Sequence, residues 1–382
     1  MSIVFPVRGP VFCTAPTAPC CPESIEWGMH QRDVVIIGGG VIGLALARGL
    51  RRSQQCSVLL IEKGQPGCEA SHAAGGMLAY CEPNLPAPLR TLAVASFKLY
   101  PDFVRAVEAE SGTRVDFRKE GAIVFDEAVP HESIRGCRGL SVGALKKLEP
   151  ALVPAAASLQ YWPEASVDPR AFAAALAGAA RKAGVEIVCG DTVVAVDVSG
   201  DRVCGVRTAQ SQISTNLVIN CAGAWSHQLS GAPTVPTRPV KGQMLAVMPP
   251  TKDMLRHVVR TPDVYLIPRS DGRIVIGATV EEAGYNKQTE VPTIERMRRA
   301  AVAVLPALED APIHEAWAGL RPGTPDNLPI LGETSLRGYY VATGHYRDGI
   351  LLTPITARLL VQLITGSTPE LGLQPFSWAR FG

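Results

Sequence analysis

"DVVIIGGGVIGLALARGL", residues 33–50, is the stretch that decides the fold. Four consecutive β-branched residues, Val34 to Ile37, stand just before a glycine run, a pattern typical of a strand buried on both faces of a parallel sheet. Gly38, Gly40 and Gly43 follow with the spacing G-x-G-x-x-G, and the apolar residues after them predict a packed helix. The stretch therefore predicts a strand, a tight glycine turn and a helix in succession.

The residues after this turn complete a dinucleotide-binding unit. A second strand-like run, Val58 to Ile61, ends at Glu62. Glycines let the backbone approach a pyrophosphate, the helix N-terminus favours its charge, and the acidic side chain can accept a hydrogen bond from a ribose hydroxyl. The glycine spacing alone often marks only a tight turn, but the strand, helix and acidic residue together favour a nucleotide site. The motif does not separate NAD from FAD.

Composition limits the class of protein. A length of 382 residues favours two domains, and 47% hydrophobic residues are enough for a large interior. A net charge of +2 offers no electrostatic basis for binding nucleic acid or an acidic membrane. The apolar stretch 350–365 contains Arg358 and is shorter than the run of about 18 apolar residues that a membrane helix needs. We expect neither a nucleic-acid partner nor a membrane partner.

The ten cysteines and seven histidines are scattered along the chain. There is no CxxC pair, and no spacing of cysteine with histidine suits zinc. Cys56, Cys189 and Cys221 lie beside apolar strand-like residues, where free cysteine behaves as a small hydrophobic residue. This pattern predicts a reduced, cytoplasmic chain without a metal site.

The first 32 residues differ from the rest in being rich in proline and cysteine, without apolar periodicity. They lack the basic and apolar regions of a signal peptide. Residues 1–30 are predicted to be a disordered extension. A translation start at Met29 and a redox or partner-binding role are the alternatives.

The middle of the chain alternates between parallel and antiparallel patterns. Asp168 predicts the cap of an alanine-rich helix, and strands at 185–189 and 193–198 are predicted to return the chain to the nucleotide-binding sheet. Residues 113–127 and 236–280 favour antiparallel strands, and Ser270-Asp271-Gly272 predicts a hairpin turn. The predicted fold class is α/β, a discontinuous Rossmann-like nucleotide-binding domain with an antiparallel-sheet α+β substrate domain. The first domain is assigned to 31–110, 166–235 and 320–382, and the second to 111–165 and 236–319.

Two further glycine-rich segments favour a larger nucleotide. The small residues of "EASHAAGGMLAY" (69–80) would let backbone amides run beside a bulky ligand, which favours FAD; a flexible loop is the alternative. "GHYRDGILLTPIT" (344–356) places a glycine between a strand and a helix near the end of the chain. Locally it could be an ordinary helix start.

These segments resemble the D-amino-acid oxidase-like flavoproteins, and within them the glycine oxidases of thiamin biosynthesis. The resemblance extends in order over nearly the whole chain from Arg32. The matching stretches are "VVIIGGGVIG", "EASHAAGGML", "NCAGAWS", "PVKGQ", "YLIPRSDGRIVIGAT", "WAGLRPGTPDNLPILG" and "GHYRDGILLTP".

The resemblance implies non-covalent FAD in the first domain. It also implies that a second helix start, with the amides of Gly349, Ile350 and Leu351, faces the flavin ring and stabilises the charge of its reduced form. Pro354 is expected in the first turn of that helix, where its missing N–H has no helical partner. The residues expected to hold FAD are Gly38, Gly40, Val41, Ile42, Gly43, Glu62, Lys63, Ala70, Ser71, Gly75, Gly76, Met77, Val193, Ala222, Gly223, Gly344, His345, Tyr346, Arg347, Asp348, Gly349, Ile350 and Leu351.

The resemblance also implies a substrate site. Arg321 matches the arginine that grips the substrate carboxylate, and Tyr265 matches a tyrosine of the same pocket. Met77, Arg260 and Arg347 are expected to line it, with Arg260 standing where some relatives carry a second tyrosine. Without the resemblance, Arg321 would be a surface or loop-bracing arginine and Tyr265 a strand residue, and a structural role for Arg347 is an equal alternative.

The implied activity is FAD-dependent oxidation of glycine and other small amines, such as sarcosine and D-alanine. The products are an imine or glyoxylate, ammonia and hydrogen peroxide, and the imine could supply thiazole synthase, a possible partner. A homo-oligomer, dimer or tetramer, is also expected. Three alternatives remain: a D-amino-acid or sarcosine dehydrogenase that passes electrons to a carrier, a nicotinamide dehydrogenase, and a redox-silent flavin-binding module.

Overall fold

The structure, a computed structural model, describes residues 30–125, 135–154 and 158–382. The predicted extension, apart from His30, lies outside the described residues. The strands are β1 His30–Gln31, β2 Val34–Ile37, β3 Val58–Glu62, β4 Met77–Leu78, β5 Phe117–Arg118, β6 Ala122–Val124, β7 Arg138–Gly139, β8 Gln160–Trp162, β9 Ala165–Val167, β10 Glu186–Cys189, β11 Val193–Ser199, β12 Arg202–Thr208, β13 Gln212–Ser214, β14 Val218–Asn220, β15 Arg238–Val247, β16 Val258–Arg260, β17 Tyr265–Pro268, β18 Ile274–Gly277, β19 Ile313–Gly323, β20 Ile330–Glu333 and β21 Tyr339–Thr343.

The residues just before the described α-helices are glycine, glutamate, proline, serine or aspartate. The α-helices are α1 Val41–Ser53, α2 Ala70–Ala73, α3 Ala87–Ser111, α4 Val142–Leu148, α5 Pro169–Lys182, α6 Val291–Val304 and α7 Gly349–Ile364, and the 3₁₀ turns are Gly223–Gln228, Pro306–Leu308, Gln374–Phe376 and Trp378–Phe381. The predicted cap of α5 is confirmed, because the Asp168 carboxylate accepts hydrogen bonds from the amides of Arg170 (2.8 Å) and Ala171 (3.3 Å).

A six-stranded sheet with the order β10-β3-β2-β14-β21-β20 forms the predicted Rossmann-like unit. All its neighbouring strands are parallel except β20 and β21. Gly38, at the end of β2, has φ +105°, and a Cβ there would lie 2.5 Å from the Cys221 carbonyl oxygen. A Cβ on Gly43 would lie 2.1 Å from the Gly38 carbonyl oxygen. The turn between β2 and α1 therefore requires glycine at both positions.

The two faces of this sheet are covered differently. Val34 and Ile36 of β2 pack with α1, α3, α5 and α7, while Val35 and Ile37 pack with strands β11 to β13. Those strands belong to a separate four-stranded sheet, β1-β13-β12-β11. The prediction that both strands after α5 rejoin the nucleotide-binding sheet is therefore wrong for β11. The physical reason is that β11 is one-sided, with Val194 and Val198 exposed, whereas a central parallel strand is buried on both faces.

An eight-stranded sheet, β19-β15-β18-β17-β16-β6-β8-β7, forms the second part of the molecule. Its neighbours are antiparallel except β6 and β16, and the predicted hairpin between β17 and β18 is confirmed. Segment 113–127 divides between two sheets, because β5 pairs with β9 in a three-stranded sheet whereas β6 joins the eight-stranded one. Strand β19 continues to Gly323, past the predicted boundary at residue 320. The domain boundaries themselves stay a prediction.

One expectation about α7 is wrong. The helix begins at Gly349, so Pro354 lies in its second turn, inside the helix. The N–H that Pro354 lacks would have bonded to the carbonyl of Ile350, four residues earlier. The proline therefore removes a helical hydrogen bond and leaves that carbonyl to find another donor.

Candidate active site

A cavity of about 620 Å³ is lined by residues of the six-stranded and the eight-stranded sheets. Most residues that the sequence assigned to the cofactor and the substrate meet in it. Those that line it are Gly38, Gly40, Val41, Ile42, Glu62, Lys63, Ala70, Ser71, Gly75, Gly76, Met77, Val193, Ala222, Gly223, Tyr265, Arg321, His345, Tyr346, Arg347, Asp348, Gly349 and Ile350.

At one end of the cavity, the Glu62 carboxylate is held in place by backbone amides. Gly39 N–H donates to one carboxylate oxygen at 2.7 Å and Gly64 N–H to the other at 2.8 Å. Glu62 is 7% exposed, yet it lines the cavity. Since a carboxylate oxygen has more than one acceptor site, Glu62 can also accept from a ribose hydroxyl.

The start of α1 lies beside Glu62. Its cap residue is Gly40, and the amide of Val41 donates to Ser71 Oγ at 3.1 Å. The following amides belong to the first turn, where a helix leaves N–H groups without intrahelical acceptors. Together with the helix dipole, they suit a pyrophosphate.

Lys63 occupies the wall next to this turn. Its ammonium lies 3.1 Å from the centre of the Trp225 ring and 3.7 Å from Glu69 Oε1. Burial lowers the pKa of Lys63. Sequence reasoning missed Trp225 as a lining residue, although it belongs to the quoted segment "NCAGAWS". No local pattern separates a cavity-lining tryptophan from a core one.

The second helix start, that of α7, lies on another wall. Tyr346 has φ +47°, and its N–H donates to the Pro322 carbonyl at 3.0 Å, which ties the loop to β19. Asp348 is the cap residue, and its side chain accepts no capping hydrogen bond from the described first-turn amides. Burial raises the pKa of Asp348 to about 6. Burial lowers the pKa of His345 to about 3, so this ring is neutral, and its Nε2 lies 3.1 Å from Thr356 Oγ1.

Arg321 projects from β19 into the cavity. Its Nη1 donates to the carbonyl of Thr279 at 3.0 Å and to that of Lys241 at 3.3 Å. A Cβ on Gly242 would lie 2.4 Å from both terminal guanidinium nitrogens. The glycine therefore makes the space in which the guanidinium lies. Burial lowers the pKa of Arg321, but an arginine stays charged in proteins.

The Tyr265 ring is flanked by two glycines. A Cβ on Gly277 would lie 2.8 Å from the ring, and one on Gly75 would lie 3.2 Å from it. Gly277 pairs directly with Tyr265 across strands β17 and β18. The two glycines therefore leave room for the ring, which interacts with Arg321. The roles of Gly242 and Gly277 were not predicted, although both stand in quoted segments.

Arg260 is not part of the lining. It pairs with Tyr265 across β16 and β17, lies 3.1 Å from Glu164 Oε2, bonds to Glu82 and stacks over Trp162 at 5.0 Å. Glu82, which the sequence did not single out, lines the cavity in its place. A buried arginine needs charged partners, and Arg260, which lies outside the cavity lining, finds them in the carboxylates of Glu82 and Glu164.

Three predicted cofactor residues also lie beneath the surface of the cavity. Gly43 supports the first turn, and Leu351 is buried in the helical core. Gly344 has φ +75°, and a Cβ there would lie 2.4 Å from the Thr324 side chain. These residues shape the turns, and their neighbours line the cavity.

Metal sites and membrane-spanning helices are both missing from the part of the chain that the structure describes. No group of three or more His, Cys, Asp or Glu side chains in the described ranges could hold a metal ion. None of the described helices combines the length and the apolar character needed to cross a membrane.

The two helix starts, the carboxylate of Glu62 and the glycines of the cavity lining define a dinucleotide-binding fold. The family model "FAD dependent oxidoreductase" (DAO) matches residues 33–363. The chain belongs to this family, and its cofactor is FAD. The residues present suit that cofactor, since first-turn amides for phosphates, an acceptor for a ribose and glycines along the cavity lining are all found here.

Individual relatives agree with this assignment. The chain is 35% identical to the bifunctional protein ThiO/ThiG of Synechocystis, over 91% of this chain and 54% of that protein, so it spans about half the length of this relative. It is 33% identical to the hydrogen cyanide synthase subunit HcnC of Pseudomonas aeruginosa, over 91% and 96% of the two chains. The crystal structure of glycine oxidase from Geobacillus kaustophilus matches with a TM-score of 0.86 and 30% identity, covering 91% of this chain and 98% of that one.

Proposed function

We propose that this chain is an FAD-dependent oxidase of glycine and of other small amines with a carboxylate next to the amine-bearing carbon, such as sarcosine and D-alanine. The observation that carries the proposal is the placement of Arg321 beside Tyr265 in the same cavity as the α7 start. A guanidinium that can bind a carboxylate, placed next to a redox cofactor, suits a small amino acid as the substrate. The glycine oxidase relatives, similar over nearly their whole length, support it.

Arg321 would bind the substrate carboxylate. The planar guanidinium suits a bidentate contact with a carboxylate, and its Nη1 is anchored on two backbone carbonyls. That anchoring reduces the freedom of the side chain before the substrate binds. The contact would orient the α-carbon and its hydrogen toward the cofactor.

Bound FAD would accept two electrons from the amine-bearing carbon and pass them to oxygen, giving hydrogen peroxide. The residues of the chain hold and desolvate the amine rather than exchange protons with it. Tyr265, Met77 and Glu82 line the same cavity as Arg321 and would contact a substrate bound to it. Water would hydrolyse the released imine to glyoxylate and ammonia.

We also propose thiazole synthase as a partner that takes the imine for the thiazole of thiamin. The support is the bifunctional ThiO/ThiG relatives, in which the matching part is about half of a longer protein.

A homo-oligomeric state is a further proposal. Co-purification with thiazole synthase and sedimentation of the purified protein test the two separately.

Anaerobic addition of glycine, sarcosine and D-alanine to the FAD-loaded protein tests the proposed reaction. We expect glycine to bleach the flavin absorbance, and readmitted oxygen to restore it with one peroxide formed per flavin. Bleaching without peroxide on reoxidation would instead identify a dehydrogenase that needs an electron carrier. No bleaching by any of the three amines would leave a redox-silent flavin-binding protein.

A further inference from the structure

Helix α7 lacks one backbone hydrogen bond near its start, and a side chain of α3 supplies another donor. Pro354 has no N–H, so the Ile350 carbonyl loses its partner in the i to i−4 ladder, and the proline ring also pushes that carbonyl aside. A buried carbonyl without a donor would destabilise the protein. Ile350 is 6% exposed, so water does not readily replace the missing donor.

Two hydroxyls of α3 take over this role. Tyr100 Oη donates to the Ile350 carbonyl at 2.5 Å, and Ser96 Oγ donates to the next carbonyl, that of Leu351, at 2.6 Å. The Ser96 hydroxyl also lies 3.4 Å from the Ile355 amide. Both α3 residues are 0% exposed. The Tyr100 hydroxyl therefore takes the place of the N–H that Pro354 lacks, and the Ser96 hydroxyl lies between the Leu351 carbonyl and the Ile355 amide.

The repaired peptide groups belong to the helix start that lines the cavity. Leu352 N–H is bonded to the Asp348 carbonyl at 2.8 Å, so the amides of Gly349, Ile350 and Leu351 precede the hydrogen-bonded ladder. The carbonyl that Tyr100 bonds shares its peptide group with the Leu351 amide. A hydrogen bond accepted at the carbonyl polarises the N–H of the same group, so Tyr100 strengthens one donor of the first turn.

We propose that Tyr100, assisted by Ser96, is a positioning residue for FAD. It holds the opened start of α7 in the arrangement that lines the cavity, and it increases the capacity of the Leu351 amide to stabilise negative charge. Tyr100 touches neither cofactor nor substrate and acts only through the Ile350 carbonyl. The inference rests on the FAD site, not on the identity of the amine.

Tyr100→Phe tests the proposal with little change in packing. The ring lies between Phe117 and Phe172, with centroid distances of 5.9 Å and 5.8 Å, and these contacts survive loss of the hydroxyl. We expect the Kd for FAD, measured by flavin fluorescence with the full-length apoprotein, to rise about two- to tenfold, the range of one hydrogen bond's net contribution. The reduction potential of the bound flavin should become more negative.

Tyr161→Phe is the matched control. Tyr161 Oη also donates to a backbone carbonyl, that of Glu120 at 3.2 Å, but on the eight-stranded sheet away from the cavity lining. Its loss should lower thermal stability at most and leave both the Kd and the potential unchanged. Equal changes in the two variants would mean that Tyr100 is an ordinary stabilising residue, and the proposal would be wrong.

The decisive measurement is the same substitution in a Pro354→Ala background. The alanine provides the missing N–H, which can donate to the Ile350 carbonyl in place of Tyr100. We expect Pro354→Ala alone to bind FAD nearly as the unmodified protein does, and Tyr100→Phe to have no further effect on Kd or potential in that background. If Tyr100→Phe causes the same change in both backgrounds, its hydroxyl does not act through this carbonyl, and the inference is overturned.

Discussion

Arg321 is the residue on which the proposed substrate depends. If its guanidinium holds the substrate carboxylate in the cavity, Arg321→Ala leaves the anion without a partner. Loss of one member of a desolvated charged pair costs about 2–5 kcal/mol, on the order of 30- to several-thousand-fold in kcat/KM. Arg321→Lys should recover part of the loss, because the charge remains while the planar fork does not. FAD content should stay nearly constant.

The ratio of kcat/KM for glycine to that for an amine without a carboxylate separates binding from folding effects. In Arg321→Ala this ratio should fall, with the rate for the simple amine nearly unchanged. Arg238→Ala is the control, since Arg238 is an exposed arginine on β15 that bonds to Glu282 and to the Thr324 carbonyl. Equal slowing of both amines in Arg321→Ala would make Arg321 a structural residue.

The residues of the site could be predicted from the sequence to different degrees. Arg321 and Tyr265 were identified because they stand in segments that resemble a known family, and the structure places them together. Gly242 and Gly277 have equally specific places, but their function is to be small where another strand's side chain lies, which depends on cross-strand register. Glu82 was missed and Arg260 misplaced because burial of a charge depends on partners distant in sequence.

Helix α7 begins at one glycine and is followed by another, and the two glycines differ in backbone angle and in surroundings. Gly349 lines the cavity with an ordinary φ, and a Cβ there would meet only His345 at 3.6 Å. Gly366, just after the helix, has φ +78° and open space around it. An alanine should therefore be tolerated by the fold at the first position, whereas at the second it is strained by the backbone angle, at a cost of about 1–2 kcal/mol.

We therefore expect opposite results from Gly349→Ala and Gly366→Ala. The first should weaken FAD binding by an added methyl group on the cavity wall while leaving the melting temperature of the apoprotein unchanged. The second should lower that melting temperature and leave the Kd for FAD unchanged. If Gly349→Ala binds FAD normally, the start of α7 does not approach the cofactor closely.

At this scale, elements with their own local signals were predicted well. The β2–α1 turn and the Asp168 cap of α5 each require particular residues for reasons confined to a few positions. Strand β11 was assigned to the wrong sheet because strand propensity does not specify a partner. The place of Pro354 within α7 was mistaken because it depends on where the helix begins, and that boundary is set by the loop tied to Pro322.

At the scale of the whole molecule, residues of both the six-stranded and the eight-stranded sheet line the cavity. Val35 and Ile37 direct one face of β2 toward a second sheet and Val34 and Ile36 the other toward helices, a two-sided burial that the sequence showed as a continuous apolar run. The order of the insertions could be read from the change between parallel and antiparallel patterns. Which walls face each other across the cavity could not, because that depends on the packing of residues far apart in the chain.

The cofactor should therefore be held by contacts from all these walls and by no covalent bond. Among the described lining residues the cysteine is Cys221, which is 7% exposed and whose pKa is raised by burial, so its thiol is a poor nucleophile. No cysteine follows it in the sequence. Acid precipitation should release the flavin into the supernatant, and yellow colour retained by the washed pellet would show a covalent link.

Because a ligand that binds only the folded state stabilises it by about 2.7 kcal/mol at 100 times its Kd, the melting temperature should rise with free FAD concentration. A melting temperature indifferent to added FAD would contradict reversible binding at this interface.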